Sequence, residues 1–513
     1  MGQVAIERKG EPLAVRPRRA LAAAAVMMLI GGACSDDADD QPVDDDAPRD
    51  VGDDDGGATQ TAAQTPDMPG VEGPITGPGE VAIDALEDLI GARANDPDAE
   101  AIGTAAEDAG YVFEEYFVSG TAADQPYEVR LLIARPGDEA AEPFSGDVLV
   151  EARHPAGFPM LWQFTREYVM SQGHAAVEIS LFPSTLGQYR NVNPQRYEGL
   201  QLVDELAGDA PPQATNIPAQ AADIYAQVGL LLKSDQGSPL PGTERLHLTG
   251  HSMSAGPVWH YMDTRHDAYR LPDGDPIYDG FFPETTRTAS RFGPFPEVDV
   301  PTMLVNSELE VQQVIVDDGI DYRKPDSDEP GAQYRGYEVA GMMHNPMGIR
   351  FGLEGVGADR CQTSINDFPY NPVISTVLDH LIRWVEDGTA PPRADPIALT
   401  GEPGDDDIAI ERDEFGNAVG GLRTTTMDVP VATHTAVNRA VDPDLDMPGG
   451  SCEVFGGQID FTADELEDLY GDHASYVRQV DERLDELIAD GWMLEQFAGD
   501  LRADAEQFDG FER

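Results

Sequence analysis

The chain has 513 residues, enough for one large core with appendages or for two modest domains. It carries 95 acidic against 33 basic side chains, a formal charge of −62, and its only lysines are Lys9, Lys233 and Lys324. This balance argues against nucleic-acid partners, because the acidic chain would repel their phosphates. It suits a protein kept soluble in salty surroundings, where salt screens the repulsion between its own charges. Codon bias in a GC-rich genome equally explains the scarcity of lysine.

The N-terminus has the pattern of an exported lipoprotein. Five basic residues precede an apolar stretch, Ala20 to Ile30, that is too short to span a membrane as a mature helix. The stretch ends in Gly31-Gly32-Ala33-Cys34, which resembles the lipobox in which the cysteine is lipidated. We predict a signal peptide over residues 1–33 and a lipid on Cys34 that anchors the protein to the cell envelope, at the outer membrane or the periplasmic face. An ordinary cleaved signal with an unrelated cysteine is the alternative.

An acidic stretch follows this cysteine. From Ser35 to about Gly77 the chain consists largely of Asp, Gly, Pro, Ala and Thr, with eleven aspartates between Asp36 and Asp55. Such a segment buries too little apolar surface to offset the entropy lost on ordering. We therefore predict a disordered acidic tether over residues 34–77. Calcium binding is the weaker alternative, because the spacing fits no loop with fixed ligand positions.

Beyond the tether, strand and helix patterns alternate. This alternation predicts an α/β core over residues 78–395, with a mostly parallel central sheet and helices on both faces. The segment 182–216, rich in Pro, Asn, Gly and Tyr, is expected to form loop excursions over the site. The predicted strands are Tyr111–Val118 and Tyr127–Arg135 as an edge pair, then Val148–Ala152, Ala175–Leu181, Leu246–Gly250, Pro301–Val305 and Tyr337–Ala340; the clearest helices are Ala219–Leu232 and Val373–Val385.

Residues 396–513 are predicted to form a C-terminal helical extension packed on this core. If Cys34 carries lipid, Cys361 and Cys452 remain as one pair in an exported protein, and we expect a disulfide that ties the extension to the core. Two unrelated buried thiols are the alternative. Helical spacing predicts that these apolar residues face the core: Leu466, Leu469, Tyr476, Val480, Leu484, Leu487 and Ile488.

The run from Leu246 to Gly256 has the layout of a nucleophile elbow. An apolar strand leads into Gly-His-Ser-Met-Ser, and small residues then lead into a helix. The sharp turn needs small residues two before and two after the nucleophile. Gly250 and Ser254 fit around Ser252, and the strand ends where an elbow should begin. A rival frame makes Ser254 the nucleophile, and a serine that only caps the helix is the alternative outside catalysis.

An acid and a base follow in the order Ser, acid, His. The strand at Pro301–Val305 runs into carboxylates, where the acid position falls on Glu310 and Glu308 is the fallback. His344 follows a predicted strand through a glycine, which lets the ring reach the serine from a neighbouring loop. It is the one histidine of ten that lies just after a predicted strand downstream of the acid. A solvated loop charge and an ordinary loop histidine are the alternatives.

Backbone amides are expected to form the oxyanion hole. The N–H of Met253 follows the nucleophile and should be one donor. The second should come from the loop after the Val148 strand, where Pro155 has no N–H, so that Ala156, Gly157 or Phe158 provides it. Because the sequence has no His-Glu-x-x-His, no cysteine pair at zinc spacing and no phosphate-binding glycine loop, we expect neither a metal nor a cofactor.

These motifs together resemble one family. From about Tyr111 to near its C-terminus the chain is similar to bacterial α/β-hydrolase domain family 10, a resemblance that implies the α/β-hydrolase fold. The motifs that carry it, in order, are Glu115-Tyr116-Phe117-Val118-Ser119-Gly120-Thr121-Ala122, Val150-Glu151, Arg196-Tyr197, Tyr278-Asp279-Gly280-Phe281, Ser307-Glu308-Leu309-Glu310-Val311, Glu338-Val339-Ala340-Gly341 with His344, Trp384-Val385 with Gly388 and Pro391-Pro392, and Gly416-Asn417-Ala418 with Gly420-Gly421.

The resemblance also implies roles at the site. It implies a Gly-x-Ser-x-Ser elbow with Ser252 as nucleophile, and an acid at Glu310, where the family typically has aspartate. His154 stands where the family usually has asparagine, which affects the second oxyanion donor. The resemblance treats the C-terminal segment as part of one domain, which favours the bridge between Cys361 and Cys452.

We therefore expect an exported, lipid-anchored serine hydrolase that cleaves small-molecule or polymeric carboxylic esters through an acyl-enzyme. A thioesterase, an amidase and a polyester depolymerase would share the same Ser252–His344–Glu310 triad. A non-catalytic surface lipoprotein that keeps the hydrolase scaffold for binding is the alternative of a different class.

Overall fold

A nine-stranded, mostly parallel sheet lies at the centre of the structure. The computed structural model describes residues 63–75, 106, 109–155, 160–203, 218–288, 292–293, 295–346, 361–442 and 451–512. The strands lie side by side in the order β1-β2-β3-β5-β4-β6-β7-β8-β9. Their bounds are β1 Gly70–Glu72, β2 Tyr111–Ala122, β3 Gln125–Pro136, β4 Asp147–Ala152, β5 Ala175–Ile179, β6 Arg245–His251, β7 Gly280–Glu284, β8 Thr302–Ser307 and β9 Tyr334–Val339.

The sheet is antiparallel at one side and parallel at the other. Strands β2 and β3 form the predicted pair, in register from Tyr111 opposite Pro136 to Ala122 opposite Gln125. Ala123 and Asp124 both have positive φ (49° and 58°), as a two-residue hairpin turn requires. Strand β3 pairs antiparallel with β5, and every pair from β5 through β4 to β9 is parallel. The carboxyl ends of β6 to β9 therefore lie along one edge, which is where a site forms in such sheets.

The end of the predicted tether is ordered. Within residues 63–75, strand β1 pairs antiparallel with β2, with Gly70 opposite Ser119 and Glu72 opposite Phe117. Further back, Gln64 exchanges backbone hydrogen bonds with the segment 268–270. The tether prediction is wrong for these residues, because ladder hydrogen bonds to an existing sheet edge order a segment that buries little of its own. Cys34, the signal peptide and the rest of the tether lie outside the described residues.

Helices cover both faces of the sheet, as predicted. Alternate side chains of β4 show the division: Val148 and Val150 pack with α3 and α4, whereas Leu149 packs with α1 and α5. The α/β-hydrolase-like architecture is confirmed. The helices around the sheet are α1 Met160–Ser171, α2 Pro183–Val192, α3 Ala221–Leu232, α4 Ala255–Thr264 and α5 Tyr370–Asp387.

The segment expected to be loop excursions contains a helix. Helix α2 begins with Pro183 at its first turn, where the missing N–H removes no helical hydrogen bond. Two buried cations contact this helix: the guanidinium groups of Arg130 and Arg153 lie 4.7 and 5.1 Å from the centroid of the Tyr189 ring. Glu178 pairs with both arginines, at 3.1 and 2.9 Å. Removing one member of such a network would leave a buried charge unpaired, so α2 is held firmly.

The C-terminal segment packs on the face that carries α1 and α5. Leu466, Tyr476, Val480, Leu484 and Leu487 are buried as predicted. The prediction is wrong for Leu469, which is 38% exposed, because its helix spans only two turns and buries a narrow stripe. Helices α6 Ala463–Tyr470, α7 His473–Ala489 and α8 Glu495–Gln507 follow a two-stranded sheet of β10 Ala432–Thr435 and β11 Gly457–Asp460.

The expected disulfide is present between Cys361 and Cys452, with the two Cα atoms 5.6 Å apart. It joins the segment that precedes α5 to a helical turn, Ser451–Val454, that precedes β11. Single helical turns also occur at Glu308–Glu310 and Thr425–Asp428. Within the part of the chain that the structure describes, no helix is both long and apolar enough to cross a membrane.

Replacing Cys361 and Cys452 together by serine is expected to destabilise the folded chain. The bridge links residues 91 positions apart, and loops of that size raise the free energy of unfolding by about 2–5 kcal/mol. Denaturant unfolding of the oxidised wild type and the double variant measures the difference. Reduced wild type is the matched control and should behave like the variant; equal midpoints for all three samples would contradict the prediction.

Candidate active site

The turn after β6 has the geometry of a nucleophile elbow. Ser252 has φ of +54°, a conformation that few residues other than glycine adopt, and a 3-10 turn over Ser252–Ser254 then leads into α4. A Cβ added to Gly250 would lie 2.4 Å from the carbonyl oxygen of Ser254. The backbone therefore closes on itself here and accepts only glycine at that position.

Ser252, His344 and Glu310 lie in one hydrogen-bonded chain. The Ser252 Oγ is 2.9 Å from the His344 Nε2, and the His344 Nδ1 is 2.6 Å from the Glu310 Oε1. Ser252 is partly exposed, while His344 and Glu310 are buried. A histidine held between a serine and a buried carboxylate is arranged to accept the serine proton.

Glu310 is positioned by the capping of its own helical turn. Its Oε2 accepts hydrogen bonds from the Ser307 N–H at 3.0 Å and from the Ser307 hydroxyl at 2.6 Å. Burial alone would raise the pKa of Glu310, but His344 and the Ser307 donors hold it below its usual range. The carboxylate is therefore ionised at neutral pH and faces the imidazole. The next residues, Val311–Asp317, form a π-helix, a rare element found at functional sites.

Glu308 does not contact the histidine. Its Oε2 accepts from the Gly341 N–H at 2.8 Å, and its Oε1 lies 2.6 Å from the Arg412 Nη1. The fallback acid thus ties the loop that carries His344 to the C-terminal segment. The same loop is held by Asn366, whose amide donates to the Gly341 carbonyl.

Ser254 has a different environment from Ser252. It is fully buried, its backbone is right-handed helical (φ −71°, ψ −16°), and its Oγ has no hydrogen-bond partner among the described residues. His344 contacts Ser252 instead. The frame centred on Ser252 is the one that matches the geometry of the elbow.

The predicted oxyanion residues are placed only in part. Met253 lies in the first turn after the elbow, where backbone N–H groups have no partner within the helix. Ala156, Gly157 and Phe158 lie outside the described residues. Just before them, the Pro155 carbonyl accepts from the Gln188 amide of α2 at 2.8 Å. His154 is buried, and burial, with nearby His251 and His344, holds its pKa well below its usual range.

Sequence reasoning missed a second group of buried polar residues beside the triad. Neither His251 nor Glu284 is predicted from the sequence to belong to the site. Glu284 lies at the carboxyl end of β7, and its Oε2 is 2.9 Å from the His251 Nδ1. The available signal was a carboxylate at the end of the apolar run Gly280-Phe281-Phe282-Pro283.

One group of metal-ligand residue types converges among the described residues. His266, Asp267 and Asp299 bring their ligand atoms within 4.8 Å of one another. Arg270 already pairs with both carboxylates, at 3.2 Å to Asp267 and 3.1 Å to Asp299. The guanidinium thus supplies the positive charge that a metal ion would bring to this cluster.

Comparison with known proteins places the chain in a family. No curated protein matches it in sequence. Solved structures to which parts of the chain are similar include fungal esterases from Rhizomucor miehei (10% identity, TM-score 0.31, 61% of this chain and 94% of that chain) and a bacterial heroin esterase (15% identity, TM-score 0.25, 43% and 74%). Dienelactone hydrolase from Anabaena variabilis is a third (15% identity, TM-score 0.23, 38% and 74%). The family model described as "Alpha/beta hydrolase domain" matches residues 71–503, and the chain therefore belongs to α/β-hydrolase domain family 10.

Proposed function

We propose that this protein is a serine hydrolase that cleaves carboxylic esters through an acyl-enzyme. The observation that carries the proposal is the hydrogen-bonded chain from the Ser252 Oγ through His344 to the buried Glu310. Ser252 would be the nucleophile, His344 the general base and Glu310 the acid that orients the imidazole. Membership of an α/β-hydrolase family supports hydrolysis in general terms.

The geometry supports the usual two-step chemistry. In the first step the Ser252 hydroxyl gives its proton to the His344 Nε2 while its oxygen bonds to the ester carbonyl carbon. The C–O bond to the alcohol then breaks, and the alcohol oxygen takes the proton from His344. In the second step water attacks the acyl-enzyme by the same proton transfers and releases the acid and free Ser252. Glu310, ionised and buried, stabilises the imidazolium that forms in each step.

The start of α4 favours negative charge near Ser252. Its first-turn N–H groups and the helix dipole both point toward the nucleophile end of the turn. We propose that the Met253 N–H donates to the oxyanion, and that a second donor comes from Ala156 or Gly157. The hydrogen bond from Gln188 to Pro155 supports this assignment, because it fixes the chain that leads into that loop.

We also propose that the protein is exported and held at the cell envelope by a lipid on Cys34. The disulfide between Cys361 and Cys452 supports export, because such bridges persist in oxidising compartments. The lipobox-like residues before Cys34 support the anchor.

Replacing Cys34 by serine in the full-length chain is expected to move the protein from the membrane pellet to the soluble fraction. The variant keeps every residue of the folded body, so ester hydrolysis per molecule should not change. Fractionation followed by immunoblotting measures the distribution, and the unmodified chain is the control. Equal pelleting of both proteins would contradict a lipid on Cys34.

Replacing Ser252 by alanine is expected to abolish labelling by a fluorophosphonate probe and to lower kcat for a p-nitrophenyl ester by about 10³-fold or more. The matched control is Ser254→Ala, which removes a buried hydroxyl two residues away and should keep kcat within about tenfold of wild type. Labelling that survives in Ser252→Ala but disappears in Ser254→Ala would move the nucleophile to Ser254. A wild type that neither reacts with the probe nor cleaves the ester would overturn the proposed function.

Replacing Glu310 by glutamine is expected to lower kcat by about 10²- to 10⁴-fold, because the imidazolium loses its charged partner. Glu308→Gln is the control, since Glu308 is equally buried but pairs with Arg412. Its kcat, normalised to active sites titrated with the probe, should stay within about tenfold of wild type. A larger loss in Glu308→Gln than in Glu310→Gln would reverse the assignment of the acid.

A further inference from the structure

A second histidine–glutamate pair lies directly beside the candidate triad. The Glu284 Oε2 is 2.9 Å from the His251 Nδ1, and both side chains are fully buried. The rings of His251 and His344 have their centroids 5.3 Å apart. His251 also precedes Ser252 in the chain, so this pair contacts the elbow through both the backbone and the imidazole of the triad.

The sheet itself creates the second pair. Strand β7 lies between β6, which leads into the elbow, and β8, which leads to Glu310. Within the β6–β7 ladder, His251 stands directly opposite Glu284. Neighbours in one ladder hold their relative position more tightly than two loop residues can, because the backbone hydrogen bonds fix the register.

Further groups hold both members of the pair. The Tyr370 hydroxyl, at the start of α5, donates to the Glu284 Oε1, and the Thr285 Oγ1 lies 2.9 Å from the His251 Nδ1. Thr285 has φ of +40°, a conformation that is costly for a β-branched residue. Ser252 and Thr285 are thus two strained residues that bracket His251, and strain of this kind persists where the surroundings enforce it.

The surroundings of Glu284 and His251 favour the uncharged form of each side chain. Burial raises the pKa of Glu284 to about 8, although Tyr370 and His344 oppose that rise. Burial, and then the neighbouring His344, hold the pKa of His251 well below its usual range. A protonated Glu284 can donate to the unprotonated His251 Nδ1, so that the pair carries no net charge. The other titratable groups that face Glu284 are His344 after β9, Glu310 after β8, Tyr370 on α5 and Glu151 on β4.

We propose that Glu284 is a positioning residue for the proposed ester hydrolysis: in its uncharged form it holds His251, and through His251 it sets the elbow serine and the ring of His344. This inference rests on the proposed function. The uncharged state leaves Glu310 as the ionised carboxylate that faces His344, since two ionised carboxylates in one buried site would repel each other. The His251 ring is confined on another side by Phe164, whose ring lies edge-on at 5.4 Å.

Two substitutions separate the uncharged role from an ionic one. Glutamine at position 284 keeps one donor for the His251 Nδ1 and one acceptor for Tyr370, so it reproduces the protonated acid. Leucine keeps similar bulk but removes both hydrogen bonds. Each variant is compared with wild type by kcat and KM for p-nitrophenyl acetate, normalised to active sites titrated with a fluorophosphonate probe.

We expect Glu284→Gln to keep kcat within about threefold of wild type at pH 7, and Glu284→Leu to lower kcat by about 10- to 100-fold with little change in KM, since small displacements of reacting groups cost rates of this size. An unchanged kcat per active site in Glu284→Leu would reduce Glu284 to a structural role and overturn the proposal. A loss in Glu284→Gln as large as in Glu310→Gln would mean that an ionised carboxylate is needed, which also overturns it. Failure of the proposed function would show separately, as a wild type that the probe does not label.

The pH dependence of stability tests the uncharged state independently of activity. The Glu284 carboxyl has a pKa of about 8 in the folded chain and of about 4.5 in the unfolded chain, so between these pH values it keeps its proton only in the folded chain. The free energy of unfolding therefore falls as pH rises from about 4.5 to about 8. As pH rises from 5 to 8, the Tm of Glu284→Gln should therefore rise relative to that of wild type. Glu151 is present in both proteins, so its titration contributes to the pH dependence of both Tm values. A difference in Tm that stays constant from pH 5 to pH 8 would indicate a Glu284 that is already ionised in the folded protein, and a variant much less stable than wild type already at pH 5 would indicate an ion pair with a charged His251. Either result would overturn the proposal.

Discussion

The close backbone contact between Gly250 and Ser254 is the constraint on which the site depends. It leaves Ser252 at a positive φ, where the hydroxyl projects from the end of the sheet instead of packing into it. A side chain at position 250 would open this turn. His344 contacts that hydroxyl, and Glu310 contacts His344. The whole hydrogen-bonded chain therefore depends on the two backbone segments at Gly250 and Ser254, which meet without a Cβ between them.

Parallel pairing explains why four polar side chains meet at one edge. Strands β6, β7, β8 and β9 are consecutive neighbours, and they lead in turn to Ser252, Glu284, Glu310 and His344. Glu284, Glu310 and His344 are buried, and the hydrogen bonds that each makes to a neighbouring group offset the cost of removing it from water. Under our proposal the sheet carries two adjacent histidine–glutamate pairs, in which Glu310 is ionised and Glu284 is uncharged. The hydrogen bonds that Ser307 donates to Glu310 favour the ionised form of that carboxyl.

Much of this arrangement could be predicted from the sequence, for physical reasons that also mark the limits. The strands around Val148 and Leu246 are short apolar runs, and the order of Ser252, Glu310 and His344 along the chain agrees with the places where the structure brings them together. His251 and Glu284 were missed because their contact depends on the register between two strands, which local patterns do not encode. Local composition also gave a wrong prediction at residues 63–75, where a Pro- and Gly-rich stretch pairs with the edge of the sheet. Helical periodicity gave a wrong prediction at Leu469, because it does not reveal how narrow the buried stripe of the helix is.

The docking of the N-terminal segment on the sheet has a consequence for reach. Gln64 is held by backbone hydrogen bonds to residues 268 and 270, so thirty residues of chain separate the folded body from the lipid that we propose on Cys34. Even fully extended, that length spans at most about 100 Å. If both the lipid anchor and the ester hydrolysis that we propose hold, the protein samples only a shell of that depth next to its membrane, and its substrates are those that enter or are held within that shell.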